Sequence, residues 1–398
     1  MAKKTFDEVV LFARTGLNPR NNFKLGNGDN KYITIKNIHD GELVIDDNTD
    51  VVSDEAINLI HKRSQIKKGD ILFCSIGRIG DMYIIENEPE GWDINESVFA
   101  FTLNSDIIYQ KYFYYIFKNQ NTIRLISKNS SGSTFKSIKM NQIKKMVFEL
   151  PPLEEQKKVI NILDNLSLII KNFEKELKKL DELTKARFVE MFGDLEKNDK
   201  GWEERPLLDV CNQLKRYPTF CNMDYLKQGT RVIRIGNILL DGHMDIDDNN
   251  YVFVYDSVNE DFPDTVISLD DIVMAVRGDG SAAKRIGIIQ EDKLVGANIS
   301  PNLIRIQANT SVVAPIFLYH YLISEVGQKR LDSYVNKTAK KNIAAKDIAK
   351  VKTPVPEMYL QNEYVEFVKQ VDKSKVAVQK SLEETQLLFD SLMQEYFG

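Results

Sequence analysis

The chain has 398 residues, 43% of them hydrophobic, and a formal net charge of −5, so it is long enough for two or three domains with ordinary buried cores. No run of 18 apolar residues occurs and the opening MAKKTFDEVV has no apolar stretch, which argues against a membrane span and a secretory signal. Cys74, Cys211 and Cys221 form no C-x-x-C pair, a pattern that fits reduced thiols in the cytoplasm rather than a disulfide framework.

In chain order, KYITI (31–35), DILFC (70–74) and MYIIE (82–86) read as strands separated by Gly, Asn and Asp turns. YFYYIF (112–117) reads as a helix packed on that sheet, and IKKMVFEL (143–150) supplies a last strand. Between Ile107 and Phe148 lie eight basic residues and no acidic one. The loop SKNSSGSTFKSIK (127–139) mixes lysine with small hydroxyl and amide groups, which hydrogen-bond phosphates and base edges. Pro151-Pro152 then opens a helix whose Val159, Leu163, Leu166, Ile170, Phe173, Leu177 and Leu180 are spaced 4-3-4-3-4-3. That is a coiled-coil seam on a rod of about 60 Å, at ~1.5 Å per residue.

The second half repeats the first. VIRIGNI (232–238) resembles YITIKNI (32–38), DDIVMAVRGDGS (270–281) resembles GDILFCSIGRIG (69–80), and FLYHYL (317–322) resembles YFYYIF. A second basic stretch runs from Gly327 to Lys352, with YVNKTAKKNIAAK (334–346) matching the first lysine loop. The closing helix carries Tyr364, Val368, Val371, Lys375, Val378, Leu382, Thr385, Phe389, Leu392 and Tyr396, a seam broken at Lys375 and Thr385. At an offset of 205, Gln156 falls on Gln361 and Phe192-Gly193 on Phe397-Gly398. The expected architecture is mixed α/β: globular domains at 1–150 and 199–353, and long helices at 151–198 and 354–398. The helices would run antiparallel, with the two modules related by a pseudo-twofold axis. Ile160, Ile162, Ile169, Leu183 and Phe188 lie off the seam and suggest a further partner, in two copies.

An acidic chain with one basic segment per repeat matches twofold phosphate neutralisation. The candidate DNA contacts are Lys128, Ser131, Ser133, Thr134, Lys136 and Lys139 in the first loop and Lys337, Lys340, Lys341 and Asn342 in the second. The glycine loops add Arg78, Arg277, Lys284 and Arg285, and the turns after the early strands add Lys36, Asn37, Arg234 and Asn237. The catalytic inventory is thin. His39, His61, His243 and His320 are isolated, RGDGSAAK lacks the G-K-[ST] ending of a phosphate loop, and neither G-x-S-x-G nor [DN]-P-P-[YF] occurs. No catalytic residue and no metal ligand are assigned.

The segments PPLEEQKKVINILDNL…LDELTKARFVEMFGD and LQNEYVEFVKQVDKSKVAVQKSLEETQLLFDSLMQEYFG closely resemble the two repeated regions of type I restriction–modification specificity subunits. Glu357 departs from that pattern where the first repeat has its second proline. The resemblance implies two target-recognition domains, each reading half of a split double-stranded DNA site, with the helix pair setting the gap. It also implies a non-catalytic chain that docks two methyltransferase (modification) subunits and two restriction/translocase subunits. S-adenosylmethionine, ATP and Mg²⁺ would sit on those partners, with no cofactor on this chain. The alternatives are a single-chain DNA-modifying enzyme and a coiled-coil scaffold without a nucleic-acid role. Activity of the purified chain favours the first; DNA affinity unchanged on removing the loop lysines favours the second.

Overall fold

The computed structural model describes residues 2–119, 121, 122, 124, 137–218, 224–278, 285–335 and 341–398. The chain divides into two compact units, residues 1–175 with 379–398, and residues 176–378. The first unit contains β1 (Ala2–Thr5), α1 (Phe6–Val9), β2 (Val10–Thr15), β3 (Asn30–Ile33), β4 (Ile38–His39), β5 (Glu42–Leu43), β6 (Val51–Val52) and α2 (Asp54–Ser64). It continues with β7 (Ile71–Cys74), β8 (Met82–Ile84), β9 (Trp92–Ile94), β10 (Val98–Leu103), α3 (Gln110–Lys118), α4 (Met140–Ile143), β11 (Val147–Leu150) and the first part of the long α5 (Leu153–Phe192), whose residues from Glu176 on belong to the second unit. The second unit follows with β12 (Glu203–Pro206), β13 (Cys211–Arg216), β14 (Thr230–Ile233), β15 (Val252–Val254), α6 (Ser257–Asp261), β16 (Ile272–Ala275), β17 (Arg277–Gly278) and β18 (Ile286–Ile288). Then come β19 (Asn298–Ile299), β20 (Leu303–Ala308), α7 (Pro315–Ile323), α8 (Glu325–Asp332), β21 (Lys341–Asn342), α9 (Ala345–Ile348), β22 (Lys352–Val355) and the first part of the long α10 (Met358–Phe397), whose residues from Gln379 on belong to the first unit.

The central strand shows how the layers form. Ile71, Leu72, Phe73 and Cys74 of β7 are all buried, as a strand covered on both faces requires. Side chains alternate along it. Ile71 and Phe73 join Tyr112, Phe113 and Phe117 of α3 in one core, while Leu72 and Cys74 join Ile33, Ile38 and Ile94 in another. A four-stranded antiparallel sheet, β2-β10-β7-β8, is thus held between helix α3 and the small sheet β6-β3-β9. The second unit repeats the plan in the order β13-β20-β16-β18 and β15-β14-β19. There Ile272 and Met274 face Phe317 and Leu318 of α7, and Val273 and Ala275 face Ile233, Ile238 and Ile299. The strand expected at KYITI ends at Ile33, because the Thr34 hydroxyl accepts from Lys36 N–H (3.3 Å) and caps a 3₁₀ turn over Ile35–Asn37.

Glu154 and Glu155 lie in the first turn of α5, where the helix dipole favours negative charge. In the first unit Val159, Leu163, Leu166 and Ile170 of α5 share a core with Phe389, Leu392, Met393 and Tyr396 of α10. In the second, Phe188, Met191 and Phe192 of α5 share one with Tyr364 and Val368 of α10. The start of each helix meets the end of the other, so the helices pair antiparallel along the seam read from the sequence. Both seam breaks are accommodated: Lys375 Nζ pairs with Asp181 at 2.7 Å, and Thr385 Oγ1 donates to Ser381 O at 2.7 Å. Ile162, Ile169 and Leu183 are exposed as expected, but Phe188 is not an outward residue. It is 6% exposed because the distal end of α5 forms part of the second unit's core, with ring contacts to Phe192, Phe317 and Tyr364. Ile160 likewise packs against the first unit's core.

One joint recurs at the base of each long helix. Gln156 accepts from Tyr109 N–H (3.2 Å) and donates to Ile107 O and Pro151 O (both 2.9 Å). Gln361 accepts from Ala314 N–H (2.8 Å) and donates to Val312 O (3.3 Å) and Pro356 O (2.7 Å). Both side chains are fully buried.

Candidate nucleic-acid interface

Three segments that are remote in sequence meet at one edge of each unit. In the first, the glycine loop after β7 pairs with the last residues of the lysine loop. Ile76 pairs with Ser137, and Ile138 N–H donates to Ser75 O at 2.8 Å. The same loop reaches the turn after β3. Arg78 donates to Ile35 O at 3.1 Å, contacts His39, and lies 3.5 Å from Asp81. His39 in turn contacts Lys36 O. Lys36, Arg78 and Lys139 are exposed at this meeting of loops, Arg78 also facing Asp81.

The second unit builds the same junction with a little more regularity. Arg277 pairs with Asn342 across β17 and β21, and Ile343 N–H donates to Val276 O at 3.0 Å. Arg285 ties this loop to the turn after β14 by donating to Ile238 O at 3.2 Å. Arg277 and Asn342 are exposed. Arg216, at the end of β13, donates to Pro301 O at 2.9 Å. Its guanidinium is pulled below the ordinary arginine value, first by burial and then by the neighbouring charge of Arg277.

Not every expected contact survives. Asn37 and Asn237 are buried, 9% and 2% exposed, and their amides are used inside the fold. Asn37 Oδ1 accepts from Thr34 N–H (2.9 Å) while its Nδ2 donates to Val44 O (3.0 Å) and Thr49 Oγ1 (3.2 Å). Asn237 Oδ1 accepts from Arg234 N–H (2.9 Å) and its Nδ2 donates to Asn250 O (3.1 Å). These residues shape the turn and are not free to read a base. Arg234 is also partly engaged, donating to Asn250 O at 3.1 Å. Lys128, Ser131, Ser133, Thr134, Lys136, Lys284, Lys337, Lys340 and the side chain of Lys341 lie outside the described residues. Sequence reasoning missed His39 and Arg216, which carry no local motif. It saw Gln156 and Gln361 only as aligned letters.

A cleft of about 600 Å³ in the second unit includes Tyr319, His320, Arg285 and Lys375 in its wall. Within it Lys375 pairs with Asp181 at 2.7 Å, and His320 Nδ1 hydrogen-bonds Tyr364 Oη at 2.5 Å. Among the described residues no group of three or more metal-ligating side chains gathers, and no helix is long and apolar enough to cross a membrane.

A mixed α/β module thus occurs twice, each copy mounted on the paired long helices and carrying a loop junction with exposed cationic side chains. The family described as type I restriction modification DNA specificity domain matches residues 1–183 and again 199–386. The chain belongs to that family and contains two copies of its domain. It is 25% identical over 315 residues to the type I restriction enzyme EcoBI specificity subunit of Escherichia coli, covering 73% of this chain and 64% of that one. It is 28% identical over 158 residues to the MjaIX specificity subunit of Methanocaldococcus jannaschii, covering 36% of each. The matched stretches thus span less than two thirds of these relatives' lengths. The fold resembles the crystal structure of the type I restriction–modification S subunit from M. genitalium, with a TM-score of 0.56 at 16% identity, covering 100% of this chain and 96% of that one.

Proposed function

We propose that this chain selects the DNA sequence for a type I restriction–modification complex, each unit reading one half of a two-part double-stranded target. One observation carries this reading: the same junction of glycine loop, closing part of the lysine loop and cationic side chains recurs in both halves of a duplicated fold. Exposed Ile162, Ile169 and Leu183 on α5, with Val376 and Leu387 on α10, offer the modification subunits an apolar surface on the helices. The chain performs no chemistry. Methyl transfer from S-adenosylmethionine and ATP-driven cleavage with Mg²⁺ belong to the modification and restriction subunits. Lysine and arginine at the junctions supply affinity, and polar groups such as Asn342, Ser133 and Thr134 supply base discrimination of about 1–3 kcal/mol per good contact.

The test is to co-express the chain with its modification subunit and map methylated adenines by sequencing. A two-part motif is expected, and exchanging residues 1–150 for those of a relative changes one part alone. A continuous motif, or a change in both parts, counts against the proposal.

A further inference from the structure

We infer that Gln156 and Gln361 are positioning residues that set the gap between the two half-sites, an inference that rests on reading the chain as a two-part DNA reader. Each amide is fully buried in the first turns of a long helix and ties that helix to two other backbone segments. The partners correspond in the two units. One is the residue preceding the domain helix (Tyr109 or Ala314), one is the carbonyl two residues before that (Ile107 or Val312), and one is the carbonyl at the strand exit (Pro151 or Pro356).

The chemistry allows few substitutes. The site needs one acceptor and two donor hydrogens on a flat group at this reach. A glutamate carboxylate would face two carbonyls with no hydrogen to give. Asparagine falls short by a methylene, and an apolar chain leaves three buried backbone groups unpaired. This amide chemistry is the same in both units even though the surrounding cores differ, rich in phenylalanine in one and largely aliphatic in the other. The joint therefore serves something the two halves share, which is the mounting of a domain on its helix.

The lever is long. From Gln156 to Lys175 the helix extends about 28 Å at ~1.5 Å per residue, so a tilt of roughly 7° at the joint displaces its far end by about 3.4 Å, one base-pair step. A loose joint would leave each domain able to read its own bases and blur the distance between them.

The experiment uses the full chain co-expressed with its modification subunit, carrying Gln156→Met or Gln361→Met, with methylated sites mapped by sequencing. The expected result is that both half-site sequences persist while sites with a gap one base pair longer or shorter are methylated at more than a tenth of the frequency of the original gap. Gln→Glu variants should blur the gap as well. A single unchanged gap in both methionine variants overturns the inference. So does failure of both to fold, since the joint would then serve folding and not distance. A wild-type chain that yields no two-part motif overturns the underlying reading instead.

Discussion

Asp70 and Asp271 each begin a central strand and are almost shut off from water, and each is neutralised by one arginine. Arg14 reaches Asp70 at 2.7 Å, with Thr102 Oγ1 donating to the other oxygen at 2.6 Å. Arg305 reaches Asp271 at 2.6 Å. Burial pushes the Asp271 carboxyl up, and Arg305 opposes that. Removing one partner strands a buried charge, so Arg14→Met and Arg305→Met should each cost about 3–5 kcal/mol in denaturant unfolding of their own unit. The aspartates were legible in GDIL and DDIV, but their partners were not. The offset of 205 places Arg305 on Ala100, and Ala100 sits across from Arg14 in the strand register. The cation has changed strands between the two units, and only pairing between distant strands reveals it.

His320 offers a second test at this scale. Burial first, and the charge of Lys375 second, lower it to about 4 from an ordinary 6.5. The unfolded chain binds the proton more readily, so stability is full above about pH 6.5 and falls as the pH drops toward 4. The loss reaches at most about 3 kcal/mol. Denaturation midpoints of the second unit between pH 7 and 4 should show this slope, and His320→Gln should flatten it.

The long helices were the most legible elements, because the 4-3 spacing that coiled-coil pairing uses is a local pattern. Their breaks were legible as breaks but not as compensated ones. Lys375 is 19% exposed on its side chain and relies on Asp181 and Asp372. Replacing a partly buried ion pair by a well-packed apolar group is often neutral or stabilising. Lys375→Leu should therefore leave the thermal midpoint of the second unit unchanged or raise it, and a drop of several degrees would count against the seam as described. The sheets were less legible. β3 pairs in parallel with β9 across a long intervening stretch, and no short pattern encodes such a partner. The apolar faces of α5 were read by periodicity alone, which is why Phe188 looked free until the second unit was seen to cover it.

The duplication itself was plain in the sequence, since it rests on the order of motifs and not on any one of them. The location of charge was legible too, but the meeting of three segments at each junction was not, because it depends on backbone pairing between loops. If the junctions bind phosphates, the affinity of the assembled complex for its site should fall steeply with salt despite the overall charge of −5. Arg78→Gln and Arg277→Gln should each reduce the slope of log affinity against log salt by about 1, as measured by anisotropy titrations at several salt concentrations.

The division of each core between remote stretches of chain also governs the order of events during synthesis. Phe389 and Met393 complete the core that holds Phe113 and Leu163, the Phe397 ring packs at a tilt against Tyr112, and Asn119 donates to Met393 O at 3.1 Å. The first unit to leave the ribosome is thus the last to close. Its aromatic helix must wait, with one flank uncovered, until about 270 further residues have been made at about 5–20 per second. That delay of tens of seconds makes the nascent amino-terminal half a natural client for chaperones.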